Sequence, residues 1–406
     1  MEFIERRDLR GGSVCWDQPD YRRPADLLPA ATDILIVGAG VMGAMIADRL
    51  TETGRDVTLI DRRAPARGST AGSTALVMWA ADVPLTHLAR SIGLDRAVAR
   101  WRAVHDAATG LRERLARGDI DCDLIDRPEL YLDGDLLDAA ALKGEAEARR
   151  RAGLPCHFLT PDAVAERFAV KPRAGIVCDG SYVLDPVKLT IGLLDKAANQ
   201  GARICHPVEA LAIDHRDDGI EVAIAGGRTV RCRELILATG YERARWFLPA
   251  AFDIGSSYAI ATRPDTPALW NEDAMIWEAS NGYLYARRTI DGRIVAGGGD
   301  EDFADPARRD ALIETKRGSI DAQLCALTGA ETLAIDCAWA SSFGSSPDGL
   351  PAIGRSTIDP RVWIASGFGG NGITFAMLAA DIIASSLAGA TDERTAMFAP
   401  DRFGPE

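Results

Sequence analysis

The sequence offers little that would serve a metal, a membrane or a nucleic acid. Its eight cysteines, at 15, 122, 156, 178, 205, 232, 325 and 337, contain no CxxC pair. That spacing argues against zinc and against a short-range redox disulfide. The five histidines (87, 105, 157, 206 and 215) are scattered and read as structural or exposed. Lys plus Arg is 46 against 59 for Asp plus Glu, a net charge of −13, so the basic footprint of a nucleic-acid binder is missing. A cationic small substrate is compatible with that balance. The longest apolar run, residues 34–47, is shorter than the ~20 residues of a membrane span. The opening "MEFIERRDLRGG" has no apolar signal core. No internal repeat or low-complexity tract is present. These absences lead us to expect a soluble cytoplasmic protein, and 406 residues suffice for two large domains or one interleaved pair.

Glycine, by contrast, is plentiful, and two clusters of it lie between a strand and a helix. The first is in "DILIVGAGVMGAMIADRLTETGRDVTLIDRR", Asp33 to Arg63. A β-branched strand, Ile34 to Val37, runs into Gly38-x-Gly40-x-x-Gly43. A helix follows, with Met42, Met45, Ile46 and Leu50 at helical spacing, and "VTLI" forms a second strand ending at Asp61. In such a unit Gly38 permits the tight turn, Gly40 lets a pyrophosphate approach and Gly43 lets helix and strand pack closely. Phosphates sit on the helix N-terminus, at Val41 and Met42, among free amides and the positive dipole end. Asp61 is placed for ribose hydroxyls, and its charge disfavours a 2′-phosphate. The glycine pattern alone is weak: 39 glycines in 406 residues yield on the order of 0.3 chance matches. Indeed Gly367-x-Gly369-x-x-Gly372, in "ASGFGGNGITF", also fits. Context separates the two, because after the second cluster comes a closing helix at 373–388 and a short polar tail, with no second strand.

Further segments identify the dinucleotide. Residues 201–240 alternate like strands joined by polar turns, and a strand near Val208 precedes a buried one, "LILATG", that meets Gly240. "RRAPARGSTAGSTALVM" supplies Arg62, Ser69, Thr70, Ser73 and Thr74 after the ribose acid. Together with "SSPDGLPAIG" and "SGFGGNGIT", this order resembles the D-amino-acid oxidase superfamily of FAD enzymes, from about residue 30 to 390. That superfamily includes glycine, sarcosine and γ-glutamylputrescine oxidases, and "GFGGNGITF" looks most like the amine-oxidising, γ-glutamylputrescine-oxidase-like branch. The resemblance implies an α/β (α+β) architecture. An FAD domain with the two-dinucleotide-binding fold, its βαβ Rossmann-like, would be interleaved with a mixed or antiparallel β-sheet substrate domain. Residues 1–83, 181–247 and 337–406 would form the first, and 84–180 with 248–336 the second. It also implies that Gly344, Gly367, Gly369, Gly370, Asn371, Gly372, Ile373 and Thr374 lie against the flavin, with the helix N-terminus aimed at its N1 and C2=O. There, fixed amide dipoles stabilise the charge that reduction brings. A disulfide reductase would need a cysteine pair after the first helix, and an aromatic hydroxylase a "GD" where this chain has "PDGLP".

The remaining segments carry strand-like runs, "ELYLDGD", "SYAIATRP", "NGYLYARR" and "RIVAGGGDED", and helical stretches at 93–117 and 136–152 that read as solvated amphipathic surfaces. Alternation in "NGYLYARR" puts Tyr283, Tyr285 and Arg287 on one face, and by the resemblance that sheet covers the flavin's reacting face. These three are pocket candidates, with Phe343, Trp339, Tyr258 and Trp277; an ordinary aromatic core is the competing reading. Against relatives, Phe343 and Gly370 stand where glycine oxidase has arginines, and Thr374 where sarcosine oxidase has a lysine. Ser341 stands where sarcosine oxidase links its flavin. The resemblance therefore implies non-covalent FAD, no such carboxylate clamp, and oxidation of an amine or N-substituted amino compound to an imine. O2 or another acceptor would reoxidise the flavin. An amino-acid oxidase or dehydrogenase, and a tRNA-modifying flavoenzyme, are the alternatives.

Overall fold

The computed structural model describes residues 3–404 apart from 22, 24 and 119. Four strands, Arg203–Cys205, Val57–Ile60, Ala31–Val37 and Arg228–Leu237, lie side by side and parallel. A fifth, Val362–Ser366, continues the parallel set beside the end of Arg228–Leu237, and Ala352–Arg355 closes that edge antiparallel. Val57–Ile60 and Val362–Ser366 are buried at every residue, as expected of strands covered on both faces. The start of Arg228–Leu237 turns outward into an antiparallel meander with Gly219–Ile224 and Ala210–Arg216. Helices Val41–Thr51, Pro186–Asn199 and Gly372–Leu387 pack together on one face.

The second sheet has nine strands. In spatial order they are Arg10–Gly12, Ile335–Ser345, Asp253–Thr262, Ile294–Glu301, Leu284–Arg288, Met275–Glu278, Glu129–Leu132, Gly175–Cys178 and Cys156–Leu159. All neighbours are antiparallel except Met275–Glu278 beside Glu129–Leu132. The expected α/β architecture, with a Rossmann-like βαβ unit and a mixed, largely antiparallel second sheet, is what the chain forms.

Three features depart from what the sequence leads one to expect. The short strand Arg10–Gly12, which the sequence pattern does not disclose, pairs with Trp339–Ser341 at the edge of the second sheet. The polar tail folds back, with Phe398 fully buried and Arg402 paired to Asp348 at 2.7 Å. The two helical stretches, Leu94–Gly118 and Ala139–Arg151, are not simply solvated surfaces. The first buries Trp101, Val104 and Leu111, and the second buries the pair Glu145 and Arg149 completely. Glu145 takes amide hydrogen bonds from Leu85 and Thr86 at 2.9 and 2.8 Å, at the start of helix Leu85–Ile92. Arg149, in turn, donates to Glu145 at 2.8 Å.

Candidate active site

Four parallel strands end at one place. Val37 leads to Gly38, Ile60 to Asp61, Leu237 to Ala238–Gly240 and Ser366 to Gly367, and Gly38, Asp61, Ala238–Gly240 and Gly367 line one open cavity. Ligands of such sheets bind outside the carboxyl ends of the strands. The far wall is the second sheet, through Ser257, Trp277, Tyr283, Tyr285 and Ser341 to Phe343.

The glycine cradle is shaped by close approach. Gly38 has φ +120°, and a Cβ on Gly43 would overlap the Gly38 carbonyl oxygen. That is a steric demand for glycine at both positions. Helix Val41–Thr51 starts at Gly40 with no side-chain cap, so most of its first-turn amides have no intrahelical acceptor. Thr70 Oγ1 takes the Val41 amide at 3.0 Å. Asp61 is locked in place, Oδ2 accepting from Ala39 N and Oδ1 from Arg63 N, both at 2.8 Å. Helix Gly372–Leu387 also begins uncapped.

The loop after Gly68 is pinned through three consecutive carbonyls. Trp339 Nε1 donates to Gly72 O at 2.9 Å, Trp16 Nε1 to Ser73 O at 2.8 Å, and Arg287 Nε to Thr74 O at 2.8 Å. This corrects two pocket candidates. Arg287 and Trp339 point along the expected face, but the loop crosses it there and takes them as donors, outside the cavity lining. Arg287 also donates to Leu184 O at 2.8 Å and lies over the Trp16 ring. Burial lowers its pKa to about 10. Tyr258 is likewise outside the lining.

Of the other expected residues, Gly40, Val41, Met42, Arg62, Ser69, Thr70, Ser73, Thr74, Val208, Gly240, Gly367, Gly369, Gly370, Gly372 and Ile373 line the cavity. Gly43, Gly344, Asn371 and Thr374 sit one layer back. Asn371 Nδ2 donates to Ala80 O at 2.6 Å and Thr374 Oγ1 to Met78 O at 2.8 Å. The next alternate residue, Asp82, accepts from Gly370 N at 2.7 Å. Residues 78–82 are thus laced rung by rung to the turn that starts the last helix. Asp82 lines the cavity and escapes a reading of the sequence, where a lone acid in "ADVPL" carries no signal. Burial pushes its carboxyl up to about 6, with Asp300 adding to the shift and the Gly370 amide opposing it. Trp277 stacks on Tyr131 with ring centroids 3.9 Å apart and donates to the buried Glu129 at 2.9 Å.

A family model described as FAD dependent oxidoreductase matches residues 33–386. The chain belongs to that family. It is similar to the γ-glutamylputrescine oxidoreductase of Escherichia coli (strain K12), 25% identical over 371 residues that cover 88% of this chain and 84% of that one. Among solved structures, the L-proline dehydrogenase from P. horikoshii superposes with a TM-score of 0.79 at 21% identity, over 93% of this chain and 98% of that one. Glycine oxidase from Geobacillus kaustophilus gives 0.72 at 20% identity, over 90% and 96%. This flavoenzyme's cavity fits FAD on its own geometry. Two uncapped helix N-termini and a glycine-only approach meet there. The Ser341 and Ser342 hydroxyls, on the same wall, are buried with no hydrogen-bond partner. No helix among the described residues is long and apolar enough to cross a membrane.

Proposed function

We propose that this oxidoreductase oxidises the C–N bond of an amine or N-substituted amino compound to an imine, which water hydrolyses, and that it holds FAD without a covalent link. Bound FAD supplies the two-electron acceptor, and O2 or another acceptor regenerates it. Gly38, Gly40 and Gly43, with the first turn of helix Val41–Thr51, would hold the pyrophosphate, and Asp61 the ribose. Arg62, Ser69, Thr70, Ser73, Thr74, Val208 and Gly240 would line the rest of the dinucleotide. Residues 367–374, with Gly344 behind them, would back the flavin. Residues 1–83, 181–247 and 337–406 would then serve chiefly the cofactor, and 84–180 with 248–336 chiefly the substrate, to whose pocket Asp82 and Phe343 also contribute. All eight cysteines are unpaired, which fits a reducing, cytoplasmic setting.

One observation carries the choice of an amine. The pocket end bounded by Asp82, Trp277, Tyr283 and Phe343 contains a carboxylate and, among the described lining residues, no cation; Arg62 and Arg63 pair with Glu242, and Arg6 with Glu209, at the ribose end. A substrate carboxylate buried there without a partner would meet a desolvation penalty of several kcal/mol. The aromatic walls would hold the reacting carbon, and flavin amine oxidation asks a protein for such positioning. The name of the similar γ-glutamylputrescine oxidoreductase is in keeping with an amine substrate.

The test is anaerobic flavin reduction by simple secondary amines and γ-glutamylated amines, set against glycine, sarcosine and D-alanine. Amines without a carboxylate next to the reacting carbon should reduce it faster. A simple α-amino acid ahead by about tenfold, worth about 1.4 kcal/mol, would overturn the choice and favour amino-acid oxidation. Acid precipitation should leave all flavin in the supernatant; yellow colour in the pellet would refute the non-covalent link.

A further inference from the structure

Asp82 stands at the aromatic end of the cavity with half of its hydrogen-bonding capacity spent. Oδ2 takes the Gly370 amide at 2.7 Å, and Oδ1 takes no hydrogen bond from any described residue. Gly369, at φ +101°, lies so close that a Cβ there would come within 3.2 Å of Oδ2. The carboxylate is therefore fixed by backbone, and its free oxygen belongs to the cavity wall. The charged and titratable groups around it are Asp300 on strand Ile294–Glu301, Tyr283 just before and Tyr285 on strand Leu284–Arg288, Tyr131 on strand Glu129–Leu132, and Tyr241. In the Ser346–Leu350 turn, Asp348 is already paired with Arg402. None of these supplies a positive charge to Asp82. Asp300 adds a second negative one, with its Oδ1 buried and unpartnered. Asp82 is only partly exposed, and a carboxylate withdrawn from water with no cation is a costly arrangement unless a ligand completes it. Trp277, Tyr283, Tyr285 and Phe343 present the aromatic surfaces against which a cation is stabilised.

We propose that Asp82 is the counter-ion that captures the protonated nitrogen of the substrate and then takes its proton, leaving the neutral amine that C–N oxidation needs, so that this pocket selects cationic amines and sets their position against the glycine turn at Gly369–Gly370. The proposal rests on the amine reading above. Because burial holds the Asp82 carboxyl near 6 rather than in the ordinary carboxylate range, cation binding is present above that pH. It is lost as pH falls through about 6, where an ordinary aspartate would still be ionised.

Calorimetric titration of the FAD-loaded enzyme with tert-butylammonium chloride and with tert-butanol tests it. The first has no hydrogen on the carbon bearing nitrogen and cannot be oxidised; the second is its neutral isostere. At about pH 8 the cation should bind at least about tenfold more tightly. The preference should disappear below about pH 6, and in Asp82→Asn, which keeps an acceptor for the Gly370 amide. Flavin content should be unchanged in that variant. Equal binding of the two ligands, or a preference that survives Asp82→Asn, overturns the proposal. If that variant does not retain FAD, the pH series and the isostere comparison on the unaltered enzyme decide alone. Should tert-butylammonium bind as expected while no oxidisable amine reduces the flavin, the reaction assigned above falls and the Asp82 assignment stands. Should amines reduce the flavin while the cation binds no better than its isostere, the Asp82 assignment falls and the reaction stands.

Discussion

On the parallel-sheet side the cavity is bounded largely by backbone, at Gly38, Gly40, Gly240, Gly367, Gly369 and the first turns of two helices, with Asp61 the acid among its side chains at the ribose end. On the nine-stranded side it is bounded by side chains, and each rests on something buried. Trp277 rests on Tyr131 and Glu129, and Tyr283 on Asp300 at 3.4 Å. Arg149 lies beyond Tyr131 with its guanidinium 5.3 Å from that ring. A cofactor common to many enzymes is met by groups every residue has, whereas a particular substrate is met by groups that only certain residues have. Damage to the two walls should therefore separate into loss of cofactor and loss of substrate.

The largest effect is expected behind the substrate wall. Glu145→Ala leaves Arg149 buried without its carboxylate and the Leu85 and Thr86 amides without their acceptor. Burial works against the ionised Glu145, but Arg149 and those amides hold its pKa below the usual value. Breaking such a pair costs about 3–5 kcal/mol. Urea denaturation should show that loss, while the folded fraction keeps its affinity for FAD. A change below about 1 kcal/mol, the range of exposed pairs, would mean that Arg149 is satisfied elsewhere.

Next is Asp61→Ala on the cofactor wall. It removes the acceptor of the Ala39 and Arg63 amides and the charge meant for the ribose. A charge-assisted hydrogen bond is worth roughly 1.5–3 kcal/mol, or a tenfold to hundredfold weaker dissociation constant. Apoprotein titration with FAD measures it, and unchanged affinity would show that Asp61 does not face the ribose. A smaller effect is expected from Trp277→Phe, which leaves Glu129 with only the Ser181 hydroxyl at 3.1 Å. Losing one partner of a buried acceptor costs about 1–3 kcal/mol. KM for amines should rise while FAD affinity holds; loss of FAD instead would erase the distinction between the walls.

That division also explains what the sequence discloses. From Asp33 to Asp61 the constraints are local and steric, so glycine spacing, strand pattern and terminal acid are all visible. Alternation, which fixes a face, is enough to find Tyr283 and Tyr285. Arg287 shares that face, yet alternation cannot say how far the cavity extends along it, and the Gly72–Thr74 carbonyls end it before Arg287 and Trp339. Glu145 and Arg149 are spaced i, i+4 like any exposed helical pair. Only tertiary packing under Leu85 and Trp101 buries them. The strand Arg10–Gly12 has three residues, too few for a period, and its partner lies more than three hundred positions away.

Ser341 lies where the two walls touch, and substituting it should give the smallest effect of all. It is on the nine-stranded sheet, but a Cβ on Gly72 would overlap its hydroxyl, so the cofactor loop is packed directly on it. The hydroxyl is buried without a protein partner, and removing it from the apoprotein breaks no hydrogen bond. Ser341→Ala should thus leave the apoprotein denaturation midpoint nearly unchanged. If the hydroxyl serves FAD, one neutral hydrogen bond of about 0.5–1.5 kcal/mol is lost on binding, and the dissociation constant rises by roughly twofold to tenfold. A stability loss in the apoprotein with unaltered FAD affinity would assign Ser341 to the sheet alone. Affinity falling with stability intact would make this the one side chain by which the substrate wall also holds the cofactor.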